Sequence, residues 1–242
     1  MTRIFRRAML PGMFTLGNLF CGFLAVTNTI EGHYVTAAWW IIIAGIFDAL
    51  DGKIARLAGA SSEFGIEFDS IADVVSFGLA PSALFYSYTF KGAGQIGYVI
   101  AFGFLGAGAF RLARFNMSAS TGKKFSFTGL PIPSAAGLLA SYILFTEKVW
   151  GGFGSFEFAT LLVLLTSFAM VSGFKYSTFP KVGFSNAKDI AVSTWFISHM
   201  LIVILFPDEM FFITALMYLM SGPVRYFMTP VVNTVFHKAN TR

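Results

Sequence analysis

Apolar residues run along this chain in blocks of about twenty, and polar residues gather in the short intervals between them. The blocks are apolar all round, as a helix is when lipid surrounds it. A crossing of the hydrocarbon layer needs about 20 residues. Blocks that reach or approach that length lie near 10–30, 34–51, 69–88, 96–113, 132–149, 158–174, 190–206 and 210–226. The pattern predicts an all-α, polytopic membrane helix bundle of about eight transmembrane helices. Gly45, Gly78, Pro81, Gly103 and Gly137 fall inside blocks, which membrane helices tolerate. Gly103, Gly106 and Gly108 suggest a face where helices pack closely. Pro131 and Pro133 set the entry of the fifth span.

Composition agrees with that class. Of 242 residues, 56% are hydrophobic, 12% are charged and 30 are Phe, too little charge to cover a water-soluble domain. No Pro-rich, Ser-rich or repeated tract marks a linker, so residues 1–242 read as one domain. The basic start, Arg3, Arg6 and Arg7, precedes an apolar run without a small-residue cleavage site and reads as an uncleaved first span. The lone Cys21 sits in an apolar run and reads as an inert buried thiol. With these spans, 15 of the 17 basic residues fall on one side, and only Lys91 and Lys148 fall on the other. That bias places both termini in the cytoplasm, in a multi-pass protein of the cytoplasmic membrane. The net charge of +5 is then mostly topological, with a remainder suited to an anionic lipid or phosphate, and calls for no nucleic acid.

The polar positions that break the apolar pattern carry the chemistry. Asp48-x-x-Asp51-Gly52-x-x-Ala55-Arg56 is followed, after eight residues, by Gly65-x-x-x-Asp69-x-x-x-Asp73. Asp48 and Asp51 share one helix face at the inner end of the second span, and Asp69 and Asp73 share another at the start of the third. A linking turn containing Gly59, Ser61, Ser62 and Gly65 would make the two helices antiparallel neighbours. Four carboxylates at that depth repel one another and are costly without cations. Two divalent cations, Mg2+ or Mn2+, would neutralise them and leave positions open for phosphate oxygens. Gly52 lets a ligand approach the helix backbone, and Arg56 one turn on can offer its fork to a phosphate. The constellation therefore points to phosphoryl transfer at the cytoplasmic surface. A divalent-ion carrier is a more distant reading, since acids on a transport path usually lie near the midplane.

This pattern resembles the signature of the CDP-alcohol phosphatidyltransferase family, with Asp48, Asp51, Gly52, Ala55, Arg56, Gly65, Asp69 and Asp73 all in place. The resemblance implies a CDP-linked lipid substrate, CDP-diacylglycerol, whose phosphorus is attacked by the hydroxyl of a small alcohol while CMP leaves. It implies that Asp48, Asp51, Asp69 and Asp73 ligate two divalent metals and that Asp73 is the general base. Gly52 and Arg56 would contact the nucleotide diphosphate, and Gly65 belongs to the same signature. A homodimer is implied by the family alone.

Four further stretches resemble the integral-membrane branch that uses L-serine. They are Thr15-Leu-Gly-Asn18-Leu-Phe-Cys21-Gly22, the run from Asp69 through Ser76, Phe77 and Gly78 to Pro81, Phe110-Arg111-Leu-Ala-Arg114-Phe-Asn116, and Gly129-Leu-Pro131-Ile-Pro133. The implied reaction gives phosphatidylserine and CMP. Glycerol 3-phosphate or an inositol phosphate as acceptor is the alternative, and such a dianion would want more cations near the metals. A serine carboxylate wants a cation. Arg111 and Arg114, one turn apart, could hold it or a lipid phosphate, or could anchor the interface, and Asn116 follows them. Ser76, one turn after Asp73, could touch the incoming hydroxyl or back-bond to its helix. Tyr176 and Lys181 lie in a loop that could close over the site, with topological charge the stronger reading for Lys181. Asn18 could bond the nucleotide or a neighbouring helix. His33, His199 and His237 show no ligand spacing.

Overall fold

The computed structural model describes residues 2–58, 63–120, 128–152, 154–176 and 186–239. They form α1 (Thr2–Ile30), α2 (Tyr34–Ala58), α3 (Glu63–Asp73), α4 (Ala80–Phe85), α5 (Gln95–Ser120), α6 (Ile132–Phe145), α7 (Phe156–Val171), α8 (Ala187–Leu205) and α9 (Pro207–Ala239). Among the described residues there is no strand, only an isolated antiparallel bridge between Thr128 and Lys175. Among the described residues, five helical rods are long and apolar enough to cross a membrane: Gly12–Ile30, Tyr34–Ile54, Glu63–Ala93, Gln95–Met117 and Pro207–Met228. The other three expected crossings fall on α6, α7 and α8, of which α7 is a shorter apolar helix of 16 residues. The protein is thus a helical membrane protein.

Helix ends follow local chemistry. The α1–α2 hairpin closes through Gly32 at φ +81, with the His33 amide donating 2.8 Å to the Asn28 carbonyl, a Schellman-type closure that few other residues could make. Pro131, with ψ 138, stops the chain before α6, so helix starts at Ile132 as the prolines predict. Ser155 caps α7 by accepting from the Phe158 amide at 3.1 Å. Pro207 opens α9 one residue after α8 ends.

The third rod differs from its expected span of 69–88. It begins at Glu63, whose carboxylate in the first turn suits the helix N-terminus. Gly65 therefore lies inside α3 rather than in a turn, and Asp69 and Asp73 lie well within the helix. The rod also widens. Val74–Leu79 and Tyr86–Phe90 are π-helical, and Lys91–Ala93 tightens to a 3-10 turn. Pro81 gives the reason for the first widening: it donates no hydrogen bond and its ring crowds the carbonyl four residues back. The chain slips by one residue, and the Ala80 amide reaches Val75, five back.

α6 is the central helix. Ile132, Ala135, Leu138, Leu139, Tyr142 and Ile143 are all buried, and α2, α7 and α9 pack round it. Large apolar residues such as Phe23, Phe102, Leu164, Phe168 and Ile204 point outward, as lipid-facing positions do. Small residues permit close approach. Gly22 lies against Ser76, Gly108 against Ile132 and Gly78 against Leu105.

Candidate active site

One face of α1 organises the site. Thr15, Asn18 and Gly22 are spaced three and four apart, so they stack along that face. The Thr15 hydroxyl donates to Asp51 Oδ2 on α2. The Asn18 amide nitrogen donates 3.2 Å to Asp73 Oδ1 on α3. Gly22 has no side chain because the π-turn backbone at Ser76 passes where a Cβ would sit, 2.8 Å from Ser76 Cα. Ser76 in turn donates 2.9 Å to the Asn18 carbonyl. Thus α1 ties the end of α2 to the third rod, and aspartates of the two segments are brought together.

Carboxylate oxygens of Asp48, Asp69 and Asp73 all lie within 4.8 Å of one another. Asp51 is close enough to bear electrostatically on Asp48 and Asp69. Asp51 and Asp73 are buried, Asp48 and Asp69 half-buried. Among the described residues no ion pair involves any of the four, and the sole described pair joins His33 to Glu31 elsewhere. Among the described residues, Arg111 of α5 is a cation whose charge bears on Asp73. A cluster of carboxylates without paired cations is unstable as it stands. The donor set is all oxygen and closely spaced, which fits a hard divalent cation. The cluster could therefore hold metal.

The other expected site residues divide into those at the cluster and those engaged elsewhere. Gly52 follows Asp51 on α2, and Gly65 lies one turn before Asp69 on α3. Asn18 bonds a neighbouring helix through its side-chain nitrogen, while its buried side-chain oxygen, Oδ1, has no hydrogen-bond partner among the described residues. Ser76 is wholly buried, and its proton goes to the α1 backbone. Arg111 is 9% exposed, and its Nε has no hydrogen-bond partner. By contrast, Arg114 donates 3.0 Å to the carbonyls of Val171 and Thr128 and 3.4 Å to those of Met170 and Ser172. These include carbonyls that the end of α7 leaves unsatisfied. Asn116 donates 2.8 Å to Ser70 Oγ, tying α5 to α3. Tyr176 is buried, and its hydroxyl donates 3.1 Å to the Leu219 carbonyl of α9. Burial pushes the Tyr176 phenol up to about 12, so its proton stays in place for that bond. Lys181 and the side chain of Arg56 lie outside the described residues.

Two residues were given no role by sequence reasoning. Thr15 had a signal, since it and Asn18 are polar positions one turn apart in an apolar run. Tyr218 of α9, whose ring packs 5.5 Å from that of Tyr176, had none, because it stands in the apolar stretch Met217-Tyr218-Leu219-Met220.

Comparison with known proteins bears on this geometry. The family model described as CDP-alcohol phosphatidyltransferase matches residues 8–172. The chain is 37% identical over 232 residues to a CDP-diacylglycerol–serine O-phosphatidyltransferase of Helicobacter pylori, covering 95% of both chains. It is 36% identical to the protein of that name in Bacillus subtilis, over 74% of this chain and 96% of the other. It is 34% identical to an archaetidylserine synthase of Methanothermobacter thermautotrophicus, over 74% of this chain and 73% of that one.

Proposed function

The chain belongs to the CDP-alcohol phosphatidyltransferase family, and we propose on that premise that it transfers the phosphatidyl group of CDP-diacylglycerol to the hydroxyl of L-serine, giving phosphatidylserine and CMP. The relatives that cover nearly the whole chain carry that activity in their names. The observation that carries the reading is the meeting of Asp48, Asp69 and Asp73 within 4.8 Å.

Asp73 takes the proton of the serine hydroxyl. The serine oxygen then forms a bond to the lipid-bearing phosphorus, the bond from that phosphorus to the CMP oxygen breaks, and the proton leaves Asp73 for solvent or the departing phosphate. Asn18 holds Asp73 Oδ1 and so leaves the other oxygen for the acceptor. Thr15 steadies Asp51. Gly52 and Gly65 leave the helix surfaces open to the diphosphate, and Arg56 supplies a fixed cation there. Arg111 receives the acceptor carboxylate, which would satisfy its unmet donor. Ser76 supports Asn18 from behind. Arg114, Asn116 and Tyr176 act by holding α7, α3 and α9 in place. Lys181 is carried as a cation on the same side of the membrane. Two divalent cations, Mg2+ or Mn2+, held by Asp48, Asp51, Asp69 and Asp73, would neutralise the diphosphate and the charge developing on the leaving group.

The reading extends to topology. Residues 1–242 form one domain with eight crossings of the cytoplasmic membrane, both termini and the active site facing the cytoplasm. What supports this is the gathering of 15 of 17 basic residues on the side that bears the aspartates. A homodimer is carried from the family alone, and a monomeric mass in detergent would remove it.

The test is an acceptor assay. Membranes containing the protein are given CDP-diacylglycerol with L-serine, glycerol 3-phosphate or an inositol phosphate. CMP release with serine is expected. Release with glycerol 3-phosphate and none with serine would overturn the acceptor. Metal flux into liposomes without nucleotide, and no CMP with any alcohol, would favour an ion carrier.

A further inference from the structure

Thr15 donates to Asp51 from a place that the α1–α2 hairpin determines. The two residues stand equally far from His33 along the two arms, so antiparallel helices of equal rise bring them level. Packing holds that register. Phe47 lies one turn before Asp51 on the same face of α2 and covers Gly17, where a Cβ would come within 2.8 Å of its ring. The Phe14 and Phe47 ring centroids are 6.3 Å apart. Thr15 and Asp51 are both buried, so water does not compete for the bond between them.

Asp51 is the odd carboxylate of the four. Asp48, Asp69 and Asp73 form the group within 4.8 Å, and Asp51, one turn from Asp48 on α2, is not part of it. What holds Asp51 is α1. Its Oδ2 accepts from the Thr15 hydroxyl, and no other hydrogen bond fixes it among the described residues. A free carboxylate turns readily about its last bond, whereas one held at an oxygen keeps its other oxygen in one direction. Threonine suits that task, because its β-branch restricts χ1 in a helix. Asn18 does likewise for Asp73, one turn further along α1. Asp73 is also the base, so a change at Asn18 disturbs two functions, whereas Asp51 has no part in the proton transfer.

We propose that Thr15 is a positioning residue for divalent-cation binding: by holding Asp51 Oδ2, it sets how that carboxylate is presented to a cation at the acidic cluster. This rests on the cation reading above and deepens it. A group that hydrogen-bonds a metal ligand orients it, and losing that group typically costs about 10–100-fold in metal affinity. A mere staple between α1 and α2 would behave differently, since its loss would loosen the hairpin whether or not a cation is present. The contacts of Phe14, Gly17 and Phe47 already hold the hairpin. Thr15→Val keeps nearly the same shape, so it removes the donor and leaves that packing in place.

The experiment titrates the purified full-length protein, in lipid–detergent micelles, with Mn2+ alone and follows the free ion by its electron paramagnetic resonance signal. Thr15→Val is expected to raise the Mn2+ Kd about tenfold or more. Thr15→Ser, which restores the hydroxyl, stays within about threefold of the parent. In CMP-release assays the Mn2+ concentration for half-maximal rate rises by the same factor in Thr15→Val, and excess Mn2+ recovers most of the rate. In an Asp51→Asn background, Thr15→Val adds little to the Kd, because Thr15 acts through Asp51. Thr15→Ala removes the donor a second way, should valine crowd the hairpin. A Kd within about twofold of the parent in both Thr15→Val and Thr15→Ala would overturn the proposal. So would an undiminished rise in the Asp51→Asn background, which would place the effect of Thr15 elsewhere. A parent protein that releases CMP yet leaves all the Mn2+ free would instead overturn the cation reading on which this one stands.

Discussion

Asp73 is placed by its neighbours rather than by its own helix alone. Asn18 donates to one of its oxygens, Asp48 and Asp69 crowd it, and the charge of Arg111 bears on it. Replacing it with Asn keeps the shape but removes the base, and base catalysis is worth roughly 10²–10⁴-fold. Asp73→Asn should therefore lower CMP release at least about 100-fold, measured at saturating serine. Turnover within about tenfold of the parent would take Asp73 out of the proton transfer. Arg114 makes the contrasting case. It stands one turn from Arg111 in the same stretch, yet its guanidinium spans carbonyls of Thr128, Met170, Val171 and Ser172. Arg114→Ala should cost about 2 kcal/mol of stability by stranding those carbonyls, visible as a lowered melting temperature in detergent. Arg114→Lys should recover little, because one ammonium cannot replace a planar fork. An unchanged melting temperature in both variants would show that water satisfies those groups equally well. The sequence marks both arginines alike, and nothing in their spacing separates the one at the aspartates from the one at a helix end.

α1 and the third rod form the working pair of elements. The π turn at Val74–Leu79 follows from Pro81, and it presents Ser76 to α1 just where Gly22 leaves room. A branched side chain at residue 22 would meet Ser76 Cα, which is backbone and cannot rotate away. Gly22→Val should push the two helices apart, separate Asn18 from Asp73 and lower turnover by about tenfold or more, with a lower melting temperature. Full activity in that variant would mean that the helix contact does not position Asp73. The order of the helices was legible from apolar blocks, and the start of α6 from Pro131 and Pro133. The widened turn was not, since Gly78 and Pro81 signal tolerance of irregularity without saying which form it takes. Nor was the start of the third rod, because Glu63 and Glu67 interrupt the apolar run while extending the helix.

At the level of the bundle, a cytoplasmic orientation can be tested directly. Cys21 is the only cysteine and is buried, so engineered cysteines can be labelled against a low background. In intact cells, a membrane-impermeant maleimide should label Lys91→Cys and Lys148→Cys and spare Lys53→Cys and Lys123→Cys. The opposite pattern would invert the bundle and put the aspartates outside. Class, membrane character and the acidic signature were readable from the chain because they depend on local quantities: the length of apolar runs, the count of charges and the spacing of carboxylates along a helix. The partners of each side chain were not, because they are set by which helix faces meet across the bundle. Thr15 finds Asp51 across 36 residues, Ser76 finds Asn18 across 58, and Tyr176 finds Leu219 across 43. Packing around α6 brings those distant positions together, and no periodicity within a single helix carries that information.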